Sequence, residues 1–470
     1  MKNIAYLTLF ALVSGCAVGP DYRQPAIDTP QAFSGLPKDA QAAVLDDAWW
    51  RAFGDPVLDA YVDEALRNNR DLAIALANVE AAAGQLTTAS AALYPQLGYQ
   101  LNGQRGVTST QRLAGDSSSS DSYQFLGNAS WEIDLWGGLR RQREAAKAQL
   151  AASEQARRGV LLSVTGTVVQ GYLQLRGLDR QLEITRRTAQ SYEETVKLFE
   201  LQFRYGAVAR INVEQVKSQY QQALSAIPPL EASIAQSENA LSLLLGRNPG
   251  PIKRGKDIDA LTLPQVPAAL PSSLLTQRPD ILEAERQLVA ANAQIGVARA
   301  QFFPTISLTG NAGNVSLALS DLFKGGTSIW GVGAAVAGTV FSGGSTLGQV
   351  RSAEAKKRAA EQTYLKTVQQ AFADVENALS QYSADGRKLA SEVALTRSSK
   401  EYADLAWLQY DGGLAPYLTV LDARRQLYAA EISQAQARTS QLGDAAKLYL
   451  VFGGTWVDRA AMLNTPPPAR

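Results

Sequence analysis

The chain has 470 residues, enough for several domains or one large core. Its 45 basic and 44 acidic side chains nearly cancel, so nothing in the charge points to a nucleic-acid partner. There is no histidine, one cysteine and two methionines, Met1 and Met462. The commonest general base and metal ligand are therefore missing, no Ser-His or Cys-His nucleophile can be assembled, and no thioether set for soft metals is encoded. No phosphate loop appears, and the glycines between Gly331 and Gly338 suit close strand packing better than nucleotide binding. The expectation is a protein that is not an enzyme, with no catalytic residues, no cofactor and no metal site.

At the start of the chain Lys2 precedes an apolar run, Ile4 to Val13, which ends in Val13-Ser14-Gly15-Cys16. A charged segment, an apolar segment and small residues make an export signal, not a membrane span. Cysteine directly after Ser-Gly resembles a bacterial lipoprotein signal. That resemblance implies removal of residues 1–15 and lipidation of Cys16 on its sulfur as the mature N-terminus. A plain secretory signal with an incidental cysteine is the alternative. Ala17 follows, where an aspartate would have resembled an inner-membrane retention signal, so the outer membrane is favoured. With Cys16 acylated no thiol is left for disulfides. Beyond it no run of 18 apolar residues occurs, and no transmembrane helix is expected.

Two halves of the chain repeat at an offset of about 207 residues. Asp71-Leu72 through Leu93-Tyr94-Pro95 recurs as Asp280-Ile281 through Phe302-Phe303-Pro304. Trp136-Gly137-Gly138 recurs as Phe341-Ser342-Gly343-Gly344, and Leu245-Gly246 as Phe452-Gly453. A period this long is too large for a solenoid unit, so a half-domain has been duplicated.

Each half carries two alternating segments. In Ser122 to Trp136, Tyr123, Phe125, Gly127, Ala129, Trp131, Ile133 and Leu135 share one face, with only Leu126 out of place on the polar one. In Gln96 to Gly106, Leu97, Tyr99 and Leu101 oppose Gln96, Gln100, Asn102 and Gln104. Ile306 and Leu308 oppose Thr305, Ser307, Thr309 and Asn311, and Ile329 to Phe341 reads as a fourth strand, richer in Gly and Ala. Val107–Asp121 and Gly313–Thr327 read as loops. A soluble sheet would alternate too. Charge separates the cases: residues 94–136 and 303–344 hold 8 charged residues in 85, against 19% for the chain. Strands of roughly 10 residues can cross a bilayer when tilted, and Tyr94, Tyr99, Trp131, Trp136, Phe303 and Trp330 fall where an interfacial girdle would sit. Four strands cannot close a spanning barrel, and lipid does not tolerate an open edge, so copies of the chain must share one. Spacing and charge do not give the number of copies.

Residues 139–204 contain no proline, and 19 of them are charged. Leu161, Val164, Val168, Tyr172, Leu175, Leu178 and Leu182 recur at spacings of three and four, one face of a helix that would extend roughly 100 Å. Its counterpart, Ser345 to Gln409, carries Val368, Phe372, Val375, Leu379 and Tyr382, spaced as in a coiled-coil seam. Each ends at a glycine turn, Tyr205-Gly206 or Tyr410-Asp411-Gly412-Gly413, and reverses into a second helix. Pro416 suits the start of one returning helix, and Pro228-Pro229 must interrupt the other.

Together these segments resemble the outer-membrane-factor family, the TolC-like channels of tripartite efflux systems, in their NodT-type lipoprotein branch. The resemblance is carried by Cys16-Ala17-Val18-Gly19-Pro20-Asp21-Tyr22, Trp50-Arg51-Ala52-Phe53-Gly54-Asp55-Pro56 and Asn69-Arg70-Asp71-Leu72. It continues through Trp131-Glu132-Ile133-Asp134-Leu135-Trp136-Gly137, Gln277-Arg278-Pro279-Asp280-Ile281 and Tyr417-Leu418-Thr419-Val420-Leu421-Asp422-Ala423-Arg424-Arg425, over nearly the whole mature chain.

The fold class expected is a mixed membrane β-barrel plus a long α-helical barrel, with internal duplication. Each protomer gives four strands and long coiled-coil helices, and the resemblance implies a homotrimer. The organisation read along the chain is a signal peptide (1–15), a lipidated N-terminal segment and equatorial region (16–70), a helix (71–93) and a first strand pair with its extracellular loop (94–136). A first periplasmic helical hairpin (137–248) and an inter-repeat linker (249–279) follow. The second half has a helix (280–302), a strand pair (303–344), a second periplasmic hairpin (345–453) and a C-terminal tail (454–470).

The resemblance further implies an outer-membrane exit channel that passively conducts drugs or other small toxic compounds. Its partners would be a periplasmic adaptor, an inner-membrane pump of the resistance-nodulation-division class, and outer-membrane lipid. The alternatives are the outer-membrane channel of a type I protein secretion system and a structural coiled-coil tethering lipoprotein. The same resemblance places a periplasmic gate at Leu418, an apolar ring, Asp422, an acidic ring, and Arg425, a tether between helices. At i, i+4 and i+7 the three lie near one helix face. Taken alone, Asp422 and Arg425 are an exposed i, i+3 pair worth a few tenths of a kcal/mol. The first-half equivalents, Ile211, Gln215 and Ser218, lack the charges, so opening would depend mainly on the second hairpin. For the anchor, Cys16→Ser should abolish labelling of the protein by radioactive fatty acid in growing cells; undiminished labelling would rule Cys16 out.

Overall fold

The structure is a computed structural model that describes residues 17–30, 32–33, 48–106, 120–265 and 271–453. The signal segment, Cys16, most of the first strand-to-strand loop, residues 266–270 of the linker and the tail from residue 454 lie outside the described residues. Two compact units are present, one built from residues 17–26, 78–154 and 283–365, the other from the remainder.

The first unit holds a single antiparallel sheet in chain order, β1 (Gln96–Gly106), β2 (Ser120–Ile133), β3 (Thr305–Ser316) and β4 (Ser328–Ala337). Its register keeps like with like. Tyr99 faces Gly127, Leu101 faces Phe125, Trp131 faces Leu308 and Ala312 faces Trp330. One apolar face therefore runs across all four strands, because side chains alternate strictly along each. That face is open: Leu101 is 65% and Leu97 83% exposed at one edge, Val336 69% and Val332 81% at the other. The opposite face carries Gln100, Gln104, Asn128, Ser130, Thr309 and Asn311, with Leu126, Val315 and Ile329 as its large apolar members.

Three strand limits differ from the sequence reading by three residues or more. The fourth strand stops at Ala337, short of Phe341. Its last pair is Thr305 with Ala337, and the next partner would be Pro304, which has no N–H to give the ladder. The second strand stops at Ile133, because Asp134 turns aside to accept the backbone N–H groups of Leu139 (3.0 Å) and Arg140 (2.9 Å). The third strand runs on to Ser316, beyond Gly313, since β2 is long enough to pair it as far as Tyr123. Trp136 stacks on Phe303 at 4.6 Å and donates its indole N–H to Pro304 O at 2.8 Å, fixing the strand-to-helix junction.

An extended strap of the N-terminal segment crosses this unit. Val18 N–H donates to Trp136 O (2.9 Å), and Asn292 donates to Pro20 O (2.8 Å). Arg141, nearly buried, pairs with Asp21 at 2.7 Å and Glu144 at 2.8 Å, while Gln24 donates to the Tyr364 hydroxyl at 3.2 Å.

The helices are α1 (Pro56–Asn68), α2 (Arg70–Ala91), α3 (Gly138–Arg204), α4 (Arg210–Ser225), α5 (Ile227–Leu244), α6 (Pro271–Gln277), α7 (Pro279–Ala300), α8 (Ser345–Asp411) and α9 (Tyr417–Phe452). The duplication is visible in lengths: α2 and α7 have 22 residues each, α3 and α8 have 67 each. The return legs differ. α9 is unbroken over 36 residues, whereas the first return is split at Ala226, and Pro228-Pro229 begin the next helix where missing N–H groups cost least.

In the second unit α3 and α9 lie together through Thr185 with Tyr428 (3.1 Å), Arg187 with Glu431 (2.8 Å) and Gln181 with Gln436 (3.1 Å). Its core gathers Trp49, Phe53, Leu58, Tyr172 and Leu241, with Trp49 stacked on Tyr449 at 5.2 Å. Within it, buried Asp55 caps α1 through Val57 N–H (2.9 Å) and accepts the Tyr172 hydroxyl (2.7 Å) and Lys256 N–H (3.0 Å). The same hydroxyl accepts Gly255 N–H at 2.9 Å, and burial beside the Asp55 carboxylate pushes the Tyr172 phenol far up. Both hairpins close on a left-handed glycine, Gly246 (φ 74°) and Gly453 (φ 72°), each set against a backbone carbonyl, Asn68 O and Gln277 O. A side chain at Gly246 would stand 2.1 Å from that oxygen, so no other residue fits.

Tyr172→Phe leaves the Gly255 N–H unpaired and deprives Asp55 of one donor, and should cost about 2 kcal/mol in a denaturant titration of the detergent-solubilised protein. A change under about 0.5 kcal/mol would show that this network is incidental.

Candidate functional site

The turn before α9 is wound tight. Gly413, at φ 71°, donates to Tyr410 O (3.0 Å), and Leu414 donates to Gln409 O (2.8 Å). Pro416 then sets the helix off. The first two turns of α9 divide into two faces. Tyr417, Val420, Leu421 and Ala423 are buried in a cluster with Phe199, Val213 and Val216. Tyr417 lies 4.2 Å from the Phe199 ring and 5.0 Å from Tyr410, and burial there pushes its phenol up to about 12.

The other face carries Leu418, 61% exposed, then Asp422 and Arg425. Arg425 donates to Asp422 at 2.9 Å, and Gln426 donates to the other carboxylate oxygen at 2.7 Å. These three residues share a groove of about 370 Å³ with Ile211, Gln215 and Ser218 of α4. The fold thus brings the gate candidates opposite their repeat equivalents. Glu214 of α4 lines the same groove and adds a carboxylate that the repeat comparison overlooked. Within one chain the contact of Arg425 is along its own helix, to Asp422, not across to α4.

Its neighbour Arg424 does the crossing. It donates to Ser191 Oγ (3.2 Å) and Thr195 Oγ1 (3.1 Å) of α3 and lies over the Trp407 ring at 5.2 Å. The signal was available: Arg424 is seven residues after Tyr417 and so on the buried face, where an arginine must find partners. Exposed apolar side chains crowd the two hairpin turns, with Tyr205 at 83% and Leu414 at 85%.

No helix among the described residues is long and apolar enough to cross a membrane. A sheet with one open apolar face, joined to duplicated helical hairpins, defines a class, the outer-membrane channels. The family model described as Outer membrane efflux protein matches residues 61–247 and 270–454, one match per repeat, and the chain belongs to that family. The solvent efflux pump outer membrane protein SrpC of Pseudomonas putida is 35% identical over 460 residues, covering 96% of this chain and 98% of that one. The solved outer-membrane channel OprN superposes with a TM-score of 0.87 at 29% identity, covering 94% of this chain and 100% of that one. The open state of the MtrE outer membrane channel of Neisseria gonorrhoeae gives 0.84 at 31% identity, covering 93% and 98%. The protein is an outer-membrane component of an efflux pump.

An ion pair as exposed as Asp422–Arg425 contributes little to folding. Asp422→Ala and Arg425→Ala should each leave unfolding free energy within about 0.5 kcal/mol of the parent. A loss above about 2 kcal/mol in either would assign the pair a structural role instead.

Proposed function

We propose that three copies of the chain close a 12-stranded barrel in the outer membrane and that the helical hairpins continue the duct into the periplasm. The observation that carries this reading is the pair of outer edges, on β1 and β4, to which no strand pairs among the described residues, bounding a sheet with an open apolar face and a polar face behind it. In hydrocarbon each unsatisfied backbone group at those edges costs several kcal/mol, which another copy's strand removes. The trimer follows the family resemblance; edge pairing alone asks only for a closed ring.

The duct conducts passively. Small toxic compounds, drugs or solvents among them, are delivered by an inner-membrane pump through a periplasmic adaptor. The exposed Tyr205 and Leu414 at the hairpin turns support an adaptor contact. Cys16, acylated, adds a lipid anchor. A coiled-coil tether would account for the 67-residue helices but gives no use to a two-faced sheet.

Leu418, Asp422 and Arg425 form the gate. Carboxylates brought together at a constriction repel, so closure needs a compensating charge, and Arg425 with Gln426 supplies it to Asp422. A neighbouring copy gives Arg425 a second partner across the ring. In planar bilayers the parent protein should give small single-channel currents, and Asp422→Ala/Arg425→Ala should raise them several-fold. Equal currents would remove the gate assignment; no current from either protein would remove the channel.

A further inference from the structure

Away from the gate, the second unit holds a cavity of about 1080 Å³ walled by α3, α5, α8 and α9. α3 and α5 give it uncharged side chains, Gln174 and Ser237 among them. The charged residues lining it are three: Asp385 from α8, with Asp444 and Lys447 from α9. Two acids against one base is an unusual inventory for a wall otherwise built of amides, hydroxyls and leucines.

The two carboxyl groups meet. Asp444 is half-buried and lines the same cavity as Asp385, within its electrostatic reach. Its Oδ2 is buried and, among the described residues, no nitrogen or hydroxyl donates to it. Asp385 is held as the acceptor, since Gln381 Nε2 donates to its Oδ2 at 3.1 Å. A carboxyl–carboxyl hydrogen bond exists only if one of the two groups keeps its proton, because two carboxylates in contact repel. Burial and the neighbouring Asp385 carboxylate both push the Asp444 carboxyl up, from 3.8 to about 7; Lys447, one turn on, pulls the other way without reversing them.

We propose that Asp444, keeping its proton, donates it to Asp385 and forms a pH-sensitive tie between α8 and α9, made in acid and released toward neutrality. When the proton leaves to water, the pair carries two negative charges across the helix seam and pushes it apart. The tie lies on the same helix as Asp422 but does not depend on the gate assignment. The sign follows from linkage. The closed contact binds the proton more tightly than the separated helices do. Its stability is therefore full below the ordinary carboxyl value of 3.8 and is lost as pH rises to about 7, with no further change above. One proton gives at most a tenfold change in the opening equilibrium per pH unit over that window.

The test is amide hydrogen exchange on the full-length protein in detergent, from about pH 5 to about pH 8, corrected for intrinsic rates. Protection of amides around 381–389 and 440–448 should fall up to tenfold per pH unit and level off near neutrality, while 161–175 of α3 stays flat. In Asp444→Asn the amide donates to Asp385 at every pH, so protection should stay high and flat; Asp385→Asn serves equally if the first variant folds poorly. A parent protein with no fall confined to these segments, or a variant that keeps the slope, overturns the tie.

Discussion

A backbone in hydrocarbon must satisfy its own hydrogen bonds, and this requirement governs how the rest of the chain can be used. Among the described residues the sheet meets it on both sides of β2 and β3 and on the inner sides of β1 and β4, and pairs no strand at its two outer edges. Everything that makes the edges tolerable comes from outside the single chain. The polar face, with its amides and hydroxyls, becomes useful only when enclosed, and the apolar face only when covered by lipid. The helices respond to the same constraint: unable to supply an apolar span, they are amphipathic rods whose buried stripes, such as Leu161, Val168 and Tyr172, pack against one another.

Much of this was legible from residue patterns because strands and helices have fixed periods. β1 ends where the alternation ends, at Gln96 and Gly106. The limits that escaped are those set by partners far along the chain. Asp134 reads as one more polar residue on the wet face of β2 until Leu139 and Arg140 are seen to need a cap. The end of β4 is decided by Pro304, just before the strand beside it, a constraint that its own glycine- and alanine-rich sequence does not display.

The site divides in the same way. Leu418, Asp422 and Arg425 could be placed on one face of α9 by spacing, and they do share a groove. Which arginine reaches across to α3 could not be settled by charge alone; the adjacent residues Arg424 and Arg425 take different partners, Ser191 of α3 and Asp422 of α9. The carboxyl pair of Asp385 and Asp444 was invisible in sequence because its members stand on antiparallel helices and meet only through the turn between them.

The strap at the N-terminus bears on the order of assembly. Gln24 touches Tyr364, a residue 340 positions later, and Tyr22 touches Glu285, 263 positions later. The segment synthesised and exported first can meet Trp136 and Arg141 early, but these two contacts must wait for the second repeat. Contacts of such sequence separation form late, since loop closure must be met before they add stability. The beginning of the chain is therefore fastened in stages, and a product cut off after its first hairpin would hold the strap through Trp136 and Arg141 alone.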